Sequence, residues 1–293
     1  GCYFTMAYVN VKEILLKAKE GNYAVGAFNI VDYSTVRAVI QAAERGNSPV
    51  IIQTSVKTVN YYGYTPIVNW VKHLADNAEV PVALHLDHCK DLEVIRRCIE
   101  AGWSSVMIDA SLSPFEENVR ITREVVDMAK KYNVTVEGEL GAIVGVEDDI
   151  FVDEDESYLA DPESCVRYIE ATGIDVLAPA IGTAHGLYKK KPNLNFDLLK
   201  NIAERTNIPI AIHGGTGLTE EMFKKCIENG ACKINISTDL KHVFRTSIEA
   251  FYKENPGEYE PLKVLAHMEK GIENLITSYI NVFGSAEKTE KGV

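Results

Sequence analysis

The pair Asp87-His88 sets a carboxylate beside an imidazole, at the end of an apolar run that starts at Pro81. A carboxylate can carry a proton and an imidazole can hold a metal, so one spot could supply both. Two further apolar runs lead to histidines of the same kind, His185 and His213. The chain has only seven histidines, and His73, His242 and His267 fall in helix-like stretches, where a solvated or half-buried role suffices. One strand-end histidine alone is well explained by a structural hydrogen bond. Three on one rim shift the reading toward three neutral imidazoles around a metal with an open position, a recurring catalytic zinc arrangement.

Strand geometry adds a condition. In a regular strand His85 and Asp87 face one side and His88 the other. For Asp87 and His88 to serve one site the backbone must turn at His88, and the helix signal near Asp91 fits such a turn. His85 is then either a group behind the metal ligands or a core histidine.

Two turns look built for an anion. His213-Gly214-Gly215-Thr216-Gly217 closes one apolar run, and Asn235-Ile236-Ser237-Thr238 closes the next and opens a helix. Glycines let backbone N–H groups approach a phosphate, the hydroxyls of Thr216, Ser237 and Thr238 add donors, and a helix N-terminus favours negative charge. Gly186, directly after His185, could add another N–H. Lys189, Lys190 and Lys191 read as a solvated patch that could also draw in an anion. Between Gly141 and Ala160 lies the longest connection, glycine-bearing at first and acidic later. Its Gly145–Asp149 portion could be a lid that delivers a carboxylate, whereas Asp153–Glu156 reads as solvated loop.

Stepping outward, the elements needed to position these groups are legible. Apolar, partly β-branched runs bounded by Gly or Pro occur at 23–30, 49–55, 81–88, 105–110, 135–140, 175–181, 209–213 and 232–236, each followed by a helical pattern. An amphipathic helix at 11–20 precedes the first, and a further helix from about Leu262 to Val282 follows the last. Eight strands each followed by a helix predict an α/β protein, a (β/α)₈ barrel with an N-terminal helix and an extra C-terminal helix. Its active site belongs at the C-terminal ends of the strands. With no internal repeat or low-complexity linker, one domain is expected over 11–286, with an extension at 1–10 and a tail at 287–293. Gly1 to Thr5, ahead of Met6, are expected to be an appended segment.

The formal charge of −12 argues against a nucleic-acid partner, which would need a basic face. It still permits a small phosphorylated substrate if positive potential is local. The six cysteines form no C-x-x-C pair, so a reducing, cytoplasmic setting is expected. No apolar run approaches the roughly 20 residues of a membrane helix.

Taken together, HLDH (85–88), SSVMIDAS (104–111), VEGELG (136–141), EDD (147–149), AIGTAHG (180–186), HGGTGL (213–218) and KINIST (233–238) resemble the class II, zinc-dependent ketose-bisphosphate aldolases. That family includes fructose-1,6-bisphosphate and tagatose-1,6-bisphosphate aldolases. The resemblance implies a catalytic zinc held by His88, His185 and His213, with Glu139 able to take the metal in an alternative position. It implies that Asp87 exchanges a proton with the C4 oxygen and that Glu147 moves the proton on the nucleophilic carbon. Gly186, Gly214, Gly215, Thr216, Asn235, Ile236, Ser237 and Thr238 match the cradle for the dihydroxyacetone-phosphate end. Asn29 and Ser55 match substrate-contacting positions. A monovalent cation near the phosphate site and a homodimer or homotetramer are further expectations. The chemistry is consistent, because cleaving C3–C4 next to a ketone leaves charge on an enediolate that a Lewis acid can stabilise without a Schiff-base lysine.

The chain departs from the family pattern in two places. Many relatives read Asp-Pro-Arg where this chain has Glu260-Pro261-Leu262, and their arginine binds the distal phosphate across a subunit contact. Val144 and Val146 stand where many relatives have glycine and a polar residue. Both leave the distal phosphate, and so the exact sugar, open. Rival readings are a metal-dependent hydrolase on the same barrel and a non-catalytic relative. Such hydrolases often carry an H-x-H pair on strand one, and the first strand here has no histidine.

Overall fold

A computed structural model describes residues 7–141, 144–147, 150–152, 158–185 and 192–289. The chain runs α1 (Val11–Gly21), β1 (Val25–Asn29), α2 (Tyr33–Arg45), β2 (Val50–Thr54), α3 (Val56–Tyr62), α4 (Tyr64–Asp76), β3 (Val82–Cys89) and α5 (Leu92–Ala101). It continues through β4 (Ser105–Ile108), α6 (Phe115–Lys130), β5 (Thr135–Leu140), β6 (Val144–Glu147), β7 (Ile150–Val152), α7 (Pro162–Thr172), β8 (Val176–Pro179) and β9 (Ala184–His185). It ends with α8 (Phe196–Thr206), β10 (Ile210–Ile212), α9 (Glu220–Glu228), β11 (Ala231–Ile236), α10 (Thr238–Glu254) and α11 (Pro261–Phe283).

Eight of these strands close a parallel barrel in the order β1-β11-β10-β8-β5-β4-β3-β2. The expected (β/α)₈ architecture is present, with the expected helices at both ends. Two departures from the sequence reading are local. A short helix, α3, is inserted after β2, capped by Ser55, whose hydroxyl accepts from Thr58 N at 3.3 Å. The connection read as loop from 141 to 160 instead contains an antiparallel hairpin, β6 with β7, and β9 adds to it as a third, parallel strand.

Two apolar layers hold the barrel. The larger lies between strands and outer helices and includes Phe28, Ile52, Leu84, Ile108, Val136 and Ile234. The smaller fills the base of the barrel, where Val25, Ala27, Ile51, Ala83, Val176 and Ala211 meet one face of α1. That face is Val11, Ile14, Leu15 and Ala18, the i, i+3, i+4, i+7 spacing that marks one side of a helix. Each fully buried Val, Ile or Leu is worth about 1.5–3 kcal/mol, so α1 is a stopper for the bottom of the barrel. Asn10 caps it by accepting from Glu13 N at 3.0 Å, and Asn22 ends it in the left-handed conformation. Because apolar side chains fill the base, polar inward residues are left for the upper half.

The extra helix α11 packs on α2. Arg37 bonds both oxygens of buried Glu269, the shortest contact being 2.6 Å, and Arg45 pairs with buried Glu273 at 2.7 Å. Among the described residues no helix is long and apolar enough to cross a membrane, and Cys89, Cys98, Cys165, Cys226 and Cys232 are buried free thiols.

Candidate active site

Asp87 and His88 reach the same side because β3 does not stay regular. His88 has φ 38, in the left-handed region, and the pairing of β3 with β4 slips register between Leu86 and Cys89. Such a bulge re-aims side chains at the cost of a conformation that non-glycine residues rarely take. The turn required by the sequence pattern is therefore made at His88 itself. Asp87 Oδ1 lies 3.9 Å from His88 Nε2.

Four buried side chains converge there: His88, Glu139, His185 and His213, each with a ligating atom within 4.8 Å of the others. His213 follows β10 directly. His185 requires a correction, because it is not at the end of a barrel strand. Barrel strand β8 stops at Pro179, and His185 stands on β9, where it pairs with Gly145 of β6. The excursion 180–185 carries the third imidazole back over the barrel mouth.

Carboxylates behind the imidazoles fix which ring nitrogen faces inward. Asp109 Oδ2 lies 2.9 Å from His88 Nδ1, and Glu137 Oε2 lies 2.7 Å from His213 Nε2. A carboxylate only accepts, so each of those nitrogens carries the proton. His88 Nε2 and His213 Nδ1 are then left facing one another at 2.9 Å. Two bare lone pairs at that distance repel, so a proton or a cation must lie between them. Glu139 Oε1, with no hydrogen-bond partner among the described residues, lies 3.5 Å from His213 Nδ1. Three imidazoles and a carboxylate with converging lone pairs fit a divalent metal of the zinc type.

The protein's own charges support this. Burial works against an imidazolium at His88, but Asp87, the hydrogen bond that His88 donates to Asp109, and Glu139 outweigh it, and His88 titrates well above its usual range. Burial and the charge of Asp109 push Glu139 well above the carboxylate range. Asp109, against the cost of its burial, is held below its usual range by His88 and Ser111. An excess of buried acceptors thus surrounds the imidazoles, and a divalent cation would neutralise it. Ser111 ties the acidic pair together: its hydroxyl lies 2.7 Å from both Asp109 Oδ1 and Glu139 Oε2.

Asn29 is drawn into the same network. Its amide donates to Asp87 Oδ2 at 3.3 Å, while its oxygen accepts from Gln53 Nε2 at 2.6 Å.

The residues expected to form the anion cradle lie in the turns that follow β10 and β11. Gly214 has φ +67, and a Cβ on Gly215 would lie 2.8 Å from the Asn235 carbonyl, so both positions favour glycine. Gly215 N donates to that carbonyl at 3.2 Å, joining the turn after β10 to β11. Ser237 opens α10 and its buried hydroxyl has no partner among the described residues. Thr216 Oγ1 instead accepts from Asp239 N at 3.2 Å, serving the helix start. Gly186, Lys189, Lys190, Lys191, Asp148, Asp149 and residues 153–156 lie outside the described residues. Glu147 is described only as the backbone end of β6.

Sequence reasoning missed Asp109, Ser111, Gln53, Glu137 and Lys233. Period two offered a signal for Glu137 and Lys233, which sit two residues before Glu139 and Asn235 on their strands.

Residues 9–288 match the family model described as fructose-bisphosphate aldolase class-II. The chain is 42% identical over 286 residues to fructose-bisphosphate aldolase of Geobacillus stearothermophilus, covering 97% of this chain and 99% of that one. It is 39% identical over 279 residues to the D-tagatose-1,6-bisphosphate aldolase subunit GatY of Klebsiella oxytoca, covering 95% and 98%. Among solved structures it is similar to the YdjI aldolase from Escherichia coli K12, with TM-score 0.86, 31% identity, and 97% and 100% of the two chains covered.

Proposed function

We propose, starting from the fact that the chain belongs to the class-II fructose-bisphosphate aldolase family, that it reversibly cleaves a ketose 1,6-bisphosphate to dihydroxyacetone phosphate and an aldehyde. The sugar favoured is fructose 1,6-bisphosphate, giving glyceraldehyde 3-phosphate. The observation that carries the reading is the convergence of His88, His185, His213 and Glu139 beside Asp87.

Zinc held by His88, His185 and His213, with Glu139 as the alternative ligand, would supply Lewis-acid stabilisation of the charge that forms as the carbon–carbon bond breaks. Asp87 takes the proton of the C4 hydroxyl, whose O–H electron pair becomes the new C4 carbonyl bond. The C3–C4 pair stays with C3, and Glu147 returns a proton there. In condensation the same groups act in reverse. The turn at Gly214, Gly215 and Thr216, with Asn235, Ile236, Ser237, Thr238 and Gly186, holds the phosphate next to the reacting ketone. Ser55, the cap of α3 directly after β2, and Asn29, at the end of β1, would contact the substrate. A monovalent cation near this cradle rests on the family alone, and replacing potassium by a bulky ammonium ion in the assay would test it. The protein would act in the cytoplasm as a homodimer or homotetramer, with a phosphorylated sugar and no nucleic acid as partner.

A second reading, tagatose 1,6-bisphosphate as substrate, is favoured by the 39% identity to a tagatose-bisphosphate aldolase subunit. The deciding experiment strips the metal with a chelator, restores zinc, and assays cleavage across C4 epimers of the bisphosphate. An aldolase loses and regains aldol cleavage. Regained hydrolysis without cleavage would overturn the proposal, as would no metal-dependent reaction at all.

A further inference from the structure

Behind the metal-ligating group the barrel carries a second charged cluster, to which the reaction above assigns no part. Lys233 on β11, Glu137 on β5 and His85 on β3 are all fully buried. Lys233 Nζ lies 3.0 Å from Glu137 Oε1 and donates to Asn235 Oδ1 at 2.7 Å. The other oxygen of Glu137 accepts from His213 Nε2 at 2.7 Å. His85 flanks the pair, with Nδ1 2.6 Å from Ser105 Oγ and Nε2 3.8 Å from Glu137 Oε1.

A buried ion pair is a poor device for stability, because apolar residues of similar volume serve as well or better. Its members do, however, have rigid hydrogen-bonding roles. A carboxylate only accepts, so Glu137 fixes the His213 proton on Nε2 and turns Nδ1 toward the metal group. An ammonium only donates, so Lys233 fixes the amide of Asn235 with its oxygen inward and its two N–H donors turned away from Lys233. One cation therefore bears on a metal ligand through Glu137 and on a cradle residue directly.

We infer that Lys233 is a positioning residue with two outputs: through Glu137 it holds His213 with Nδ1 toward the metal, and by its own hydrogen bond it presents the Asn235 amide donors to a substrate oxygen. The inference rests on the metal-dependent aldolase reading. Without Lys233, Glu137 faces His213 as a buried carboxylate with no cation, and Asn235 loses the bond that sets its amide.

The test uses the full-length protein and Lys233→Met, which keeps length and removes charge. Zinc affinity is measured by chelator competition, and the His213 tautomer is read from ring ¹⁵N shifts in zinc-free protein. Wild type should show the Nε2–H form. Lys233→Met should leave His213 as a mixture of tautomers, should weaken zinc binding about 10–100-fold, the usual scale for losing a group that orients a ligand, and should change the cobalt-substituted spectrum. Asn235→Ala should also cost less activity in the Lys233→Met background than in wild type. If Lys233→Met does not fold, Lys233→Met/Glu137→Gln, which leaves no lone charge, carries the same measurements with the same expectation of mixed tautomers and weakened zinc. Unchanged zinc affinity, tautomer and cobalt spectrum, with only thermal stability altered, would overturn the inference and leave the aldolase reading intact. Failure of wild type itself to bind zinc would overturn that reading and the inference with it.

Discussion

The Asn29 amide donates to Asp87 Oδ2 at 3.3 Å, and Gln53 holds Asn29 in turn at 2.6 Å. A residue expected to touch substrate is thus also spent on aiming the proposed proton carrier. Asn29→Ala should lower kcat by roughly 10- to 100-fold, the scale of one hydrogen bond to a charged group at about 1.5–3 kcal/mol. Zinc content should stay at one per chain. Asp87→Ala sets the floor, with a loss of roughly 10²–10⁴-fold for removal of a general base. Steady-state kinetics with metal analysis checks both, and near-normal turnover of Asp87→Ala would refute the proton-transfer role.

Asp109 should matter to the metal more than to the substrate. Its Oδ2 fixes His88 Nδ1 at 2.9 Å, which leaves Nε2 for the metal. Asp109→Ala frees the ring to take the other tautomer, and zinc affinity should fall about 10–100-fold. Excess zinc should then restore much of the turnover. Chelator competition together with activity titrated against added zinc separates the two effects. An unaltered zinc affinity would remove Asp109 from the metal centre.

The barrel and most of the site were legible for definite physical reasons. Parallel strands buried on both faces are nearly continuous apolar runs, so a polar residue at the end of one, such as Asp87 or His213, stands out. A turn at His88 could be inferred because alternation forbids Asp87 and His88 from facing the same way, whereas its left-handed conformation was not encoded. His185 was legible as a member of the histidine group but not as a position, since a two-residue strand such as β9 has no pattern of its own. Asp109 and Glu137 were hidden for a different reason. Their work is done by contacts between the ends of different strands, to residues 21 and 76 positions away, and no local spacing encodes such pairs.

The buried thiols give the protein an alkaline limit. Burial raises Cys89 from an ordinary value near 9 to about 11, and Cys165 and Cys226 to about 12. These groups stay protonated in the folded chain while the unfolded chain begins to lose their protons above about pH 9. Stability is therefore fully present below that pH and is lost as pH rises toward 11–12, on the order of 1.4 kcal/mol per pH unit per thiol. Buried Tyr8 and Tyr168 are raised in the same direction. Thermal unfolding from pH 8 to 11 should show a steadily falling Tm, and the described thiols should resist iodoacetamide at pH 8 until denaturant is added. Rapid alkylation of the native chain would contradict their burial.

Leu262 tests where the distal phosphate is read. Glu260 caps α11 by accepting from Leu262 N at 3.2 Å, Pro261 is the first helical residue, and the Leu262 side chain is 71% exposed. The family arginine at this position would form charge-assisted bonds to phosphate that leucine cannot make. The native chain should accordingly discriminate weakly between fructose 1,6-bisphosphate and fructose 1-phosphate. Leu262→Arg should lower KM for the bisphosphate about tenfold, the lower end of a charged hydrogen bond, and leave the monophosphate unchanged. Exposure in the first helical turn makes the substitution tolerable for folding, since surface changes away from special contacts usually cost under about 0.5 kcal/mol. A strong bisphosphate preference in the native protein would mean that another residue grips the distal phosphate. An equal effect of Leu262→Arg on both substrates would mean that this position does not reach that phosphate.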